Sequence, residues 1–96
     1  MSAEQQNLEF FEIADKYINL ANELAQTEGS ANAGTALRYA AARYNTFEAS
    51  ISTPDLAKDQ DKMIDMLCDD FREMLKVHMK DYIQRMRQNT SPANDA

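Results

Sequence analysis

The sequence predicts an all-α protein, an antiparallel helical bundle of three main helices. Three observations carry that expectation. Glycine and proline are scarce, two of each in 96 residues, while Ala, Leu, Met, Glu, Gln, Lys and Arg, the residues that favour helices, are plentiful. Apolar residues recur at helical spacing in three separate stretches. Between those stretches lie "EGSAN" and "STPD", which contain the glycine, proline and short polar residues that stop and restart helices. An all-β chain would need more turn residues and more β-branched side chains.

The first helix is expected over about 5–28. At about 100° per residue, Phe10, Phe11, Ile13, Ala14, Tyr17, Ile18, Leu20, Ala21, Leu24 and Ala25 fill one half of a helical wheel. Charged and amide residues fill the other half. An apolar stripe about 180° wide is broader than one partner helix covers. It calls for two helices, or one helix and a second subunit. Gly29 suits a left-handed helix end, and Ser30 or Asn32 suits the next N-cap. So short a connection makes the first two helices antiparallel neighbours.

The second helix is expected over about 32–51, with Ala33, Ala36, Leu37, Ala40, Tyr44, Phe47 and Ile51 as its buried stripe. Thr53 then reads as an N-cap with Pro54 at the first helical position. The third periodic segment runs from about 54 to 87. Ile64, Leu67, Cys68, Phe71, Met74, Leu75, His78, Tyr82 and Met86 share its apolar face. At 1.5 Å per residue an unbroken third helix would reach about 50 Å, against about 30–35 Å for the others. Either it breaks near Asp59–Asp61, where the sequence is wholly polar, or a second chain covers the excess. Residues 1–88 are expected to form one domain, and 89–96 a disordered tail.

Charge and composition exclude several classes of function. The net charge of −6 disfavours non-specific binding to nucleic acid or to anionic membranes. Residues 1–28 carry six acids against one base, and 54–96 nine acids against seven bases. Residues 29–53 carry Arg38 and Arg43 against Glu48, and are the only stretch that is not acidic. No apolar run approaches the roughly 20 residues that span a bilayer. A single cysteine and an N-terminus without a basic or apolar leader point to the cytoplasm.

Candidate chemistry is sparse. His78 lies on the apolar stripe between Leu75 and Tyr82. A core histidine is the simpler reading, and a pH switch or general base the sharper one. No serine or cysteine stands in helical register with it, so local spacing assembles no triad. Cys68 reads as an inert core residue. Asp61, Asp65 and Asp69 follow one another at four-residue steps among lysines, the pattern of a solvated face. "DQDKM" lacks the glycine and the alternating oxygen ligands of a calcium loop. No metal site, cofactor or catalytic residue is expected, and the chain is not expected to be an enzyme.

The stretch "RYAAARYN", residues 38–45, is the most distinctive. Tyr44 falls in the centre of the expected buried stripe, and Tyr39 about 140° away. Ala40 and Ala41 would face inward and let a helix approach closely. Tyr39 and Arg43 are four residues apart and meet on one surface. With Arg38 they form the one basic-aromatic spot of an acidic chain. Pairing of both arginines with acids on the other two helices is the simpler reading. A ligand- or partner-binding site for carboxylate or phosphate, formed by Arg38, Tyr39 and Arg43, is the sharper one.

"FEIADKYINLANELA", "ALRYAAARYNTFEAS" and "FREMLKVHMKDYI" together resemble a family of short, all-helical bacterial proteins of unassigned function. The resemblance covers roughly residues 8–86. It implies a helical fold and brings no activity, cofactor or catalytic residue. The expected function is a non-enzymatic, cytoplasmic protein-interaction or regulatory module. Its partner would be another protein, itself as a homodimer through the third helix, or both, with no nucleic acid and no membrane. The alternative is a small anionic-ligand-binding protein using Arg38, Tyr39 and Arg43.

Overall fold

The computed structural model describes residues 3–89. The chain is all-α, with α1 over Ala3–Glu28, α2 over Ser30–Ser52 and α3 over Leu56–Asn89. The described residues contain no strand. α1 packs against α2. By their backbone contacts, Met1–Glu48 and Ala49–Ala96 form two compact units.

In the first unit, a single residue separates α1 from α2. Gly29 has a φ of 89°, the left-handed conformation expected of it. Its N–H donates to the Ala25 carbonyl at 2.9 Å, and its own carbonyl accepts from the N–H of Ala33 at 3.0 Å. Neither Ser30 nor Asn32 is the cap. Ser30 opens the helix, and the Asn32 amide donates back to the Glu28 carbonyl at 2.9 Å. Asn32 therefore satisfies the end of α1 rather than the start of α2.

The covered side chains of this unit are small. Ala33 is buried, and Ala14, Ala21, Ala25, Gly34 and Asn45 are half-buried. The three alanines of α1 follow one row of the helix, at steps of seven and four residues. Ala40 and Ala41, expected to form the close approach, are exposed. The expected buried stripe of α2 is corrected in the same way: Tyr44 is 63% and Ile51 72% exposed. Helical periodicity identifies which side chains share a face. It does not supply the element that would cover that face.

In the second unit, Ala49 is buried, and Thr53, Leu56, Asp59 and Met63 are half-buried. They gather where α2 gives way to α3. Asp55, not Thr53, is the N-cap: its carboxylate accepts the N–H of Lys58 at 3.2 Å, three residues on. The Thr53 hydroxyl accepts the N–H of Asp55 at 3.2 Å and donates to the Asp59 carboxylate at 2.5 Å. Pro54 precedes the cap instead of following it. α3 runs unbroken through Asp59–Asp61. Asp59 belongs to its first turn, where a negative charge suits the positive helix end. Thus the polar run begins the helix rather than interrupting it. α3 includes Asn89, the first residue of the expected tail, and residues 90–96 lie outside the described residues.

Candidate functional site

The described residues form one hollow on α2 and another on α3. On α2, Tyr39, Ala40, Arg43, Tyr44 and Phe47 line one shallow hollow. All of them come from less than three turns of a single helix. Tyr44 and Phe47 rest with ring centroids 5.9 Å apart, a separation at which aromatic edges attract ring faces. Arg43 makes no ion pair among the described residues. The sequence separates Tyr39 from Tyr44 by their angle on the wheel. The structure instead places both at the rim of the hollow, because neither is covered.

Arg38 takes a different course. Its guanidinium donates to the Thr35 hydroxyl at 3.3 Å, one turn back along α2. Among the described residues of the first unit, neither Arg38 nor Arg43 pairs with an acid, so the expected pairing with α1 is not formed there. Of the three residues expected at this site, Tyr39 and Arg43 share the hollow, and Arg38 is not among its lining residues.

The α3 surface was not singled out by the sequence reading. Arg72, Leu75, Lys76, Met79, Lys80 and Ile83 line a second hollow on one side of the helix. The signal was available. Leu75, Met79 and Ile83 stand at four-residue steps, and so do Arg72, Lys76 and Lys80, which makes two adjoining rows on one face. Lys76 bonds Glu73 at 3.1 Å, and Arg85 bonds Asp81 at 2.9 Å while its guanidinium stands 5.1 Å from the centre of the Tyr82 ring. No residue of α3 is buried. His78 and Cys68, both expected in a core, are exposed.

The described residues contain no group of three metal-binding side chains. None of their helices is long and apolar enough to cross a membrane. What α2 and α3 offer is contact surface on which apolar side chains stand beside basic ones.

A sequence comparison defines the class to which these surfaces belong. Residues 10–83 match the family described as protein of unknown function DUF3144. The match takes in all of α2, most of α1 and most of α3, and the chain belongs to that family. Neither the curated proteins nor the solved structures gave a match.

Proposed function

We propose that the chain is a non-enzymatic interaction or regulatory module of the bacterial cytoplasm, and that it associates with itself through α3. The observation that carries this reading is the apolar face of α3. Leu67, Phe71, Met74, Leu75 and Tyr82 stand along one side of the helix and are all at least 39% exposed. Apolar surface left in water is unfavourable by about 25 cal/mol per Å². Contiguous apolar faces of this kind mark places where a protein meets a partner. The lone cysteine and the family resemblance support the compartment and the source.

Light scattering on the full chain tests the reading. The wild type should have more than the monomer mass, and Phe71→Asp should return it to the monomer. A wild-type monomer throughout the micromolar range would refute self-association.

A second reading has its own observation, the uncommitted Arg43 beside Tyr39. In it the α2 hollow binds a carboxylate or phosphate, with Arg38 swinging from Thr35 to join it. A thermal-shift screen of phosphorylated and carboxylated metabolites should find a hit that Arg43→Ala abolishes. A screen with no hit retires this reading.

A further inference from the structure

We infer that the basic C-terminal half of α3 receives α1 of a second copy, the two helices running parallel, with the acidic edge of α1 along the basic row of α3. The inference rests on the self-association proposed above and names the segment that α3 meets.

The two helices carry opposite charge where each leaves apolar side chains uncovered. α1 holds six acids and one base, a net −5. Residues 72–89 of α3 hold five bases and two acids, a net +3. The placement of these charges matters more than their sum. In the α3 hollow, Leu75, Met79 and Ile83 form one row. Arg72, Lys76, Lys80 and Arg87 form a second, about 60° further round the wheel in the direction of increasing angle. No acid lines this hollow. On α1 the half-buried row is Ala14, Ala21 and Ala25. Ile13, Tyr17, Leu20 and Leu24 lie about 60–120° to one side of it, and each is at least 43% exposed. Beyond this open edge, about 80° further in the same direction, come Glu9, Glu12 and Glu23, with Lys16 among them. Those three acids make no ion pair among the described residues.

The two edges fit in one orientation. On α3 the charged row lies on the side of increasing angle from the apolar row, and on α1 on the side of decreasing angle. Parallel helices bring opposite sides of their apolar rows together, as the e and g positions meet in a parallel coiled coil. Antiparallel helices bring like sides together. These acids therefore meet these bases when the helices run parallel. Nearer the start of α3 the same flank carries Asp65 and Asp69, which would repel the acids of α1. That confines the contact to the C-terminal half, where every residue is exposed. Length rules out the chain's own α1 for the far part of this row. α2 has 23 residues and can flank at most the first 23 of α3, which end at His78. α1 turns back along α2 through Gly29 alone and shares that limit. Lys80, Ile83 and Arg87 lie beyond it. The contact is reciprocal, α1 of each copy on α3 of the other, which closes a two-fold dimer.

Charge exchange on the full-length chain tests the pairing. Glu9→Lys/Glu23→Lys should weaken self-association about tenfold or more, and so should Lys76→Glu/Lys80→Glu. Each variant alone sets like charges together. An equimolar mixture sets the two reversed edges against each other, and the two unreversed edges likewise, so association should return as a heterodimer. Circular dichroism checks that both variants keep their helices. A dimer indifferent to the α1 reversal, or a mixture that does not recombine, would overturn α1 as the occupant while leaving self-association intact. A wild-type monomer would remove both.

Discussion

Gly29 and Gly34 are the only glycines of the chain, and they do opposite work. Gly29 holds a φ of 89° with open space around it, so an added Cβ would meet no neighbour, but an L-residue resists that backbone conformation. Gly34 lies in the helical interior of α2, where a Cβ would meet nothing nearer than the Arg38 guanidinium at 4.0 Å. Gly29→Ala should therefore lower stability by about 1–2 kcal/mol. Gly34→Ala should raise it by about 0.5–1 kcal/mol through better helix propensity. Thermal unfolding followed by circular dichroism reads both, and Tm should move in opposite directions. At this scale the sequence was legible where the backbone itself sets a demand, as it does at Gly29. It was not legible at Tyr44, Cys68 or His78. Their burial depends on what lies against the helix, and the position of a residue on a helical wheel carries no such information.

The three helices were evident from their periodicity, and the structure places every one of them within a few residues of its expected range. The errors concern caps. Both Thr53 and Asp55 suit an N-cap, and they lie two residues apart on either side of Pro54. The sequence favours Thr53, because a proline directly after it suits the first helical position. In the structure both contribute, with Asp55 capping α3 and Thr53 tying that cap to Asp59. Asp55→Ala should cost about 1 kcal/mol and fray the first turn of α3. Hydrogen exchange would show it as faster exchange at Lys58 and Asp59, with the amides near Leu75 unchanged. A uniform loss of protection would mean instead that the cap governs the whole helix. The α3 hollow was missed for a related reason. Its apolar and basic rows each look ordinary alone, and they become a surface only when taken as neighbours.

For the whole molecule, the central matter is the unspent apolar surface. In the described residues only Ala33 and Ala49 are buried among the hydrophobics, while large side chains on all three helices remain in contact with solvent. A chain of 96 residues has little core to rely on, and such small domains commonly gain stability by association. Stability should then depend on concentration, with Tm rising as the protein is concentrated. Sedimentation equilibrium on the wild-type chain across the micromolar range tests this most directly. Self-association predicts a mass that climbs from 10.9 kDa toward twice that value as concentration rises. A mass that stays at the monomer value at every concentration would contradict it.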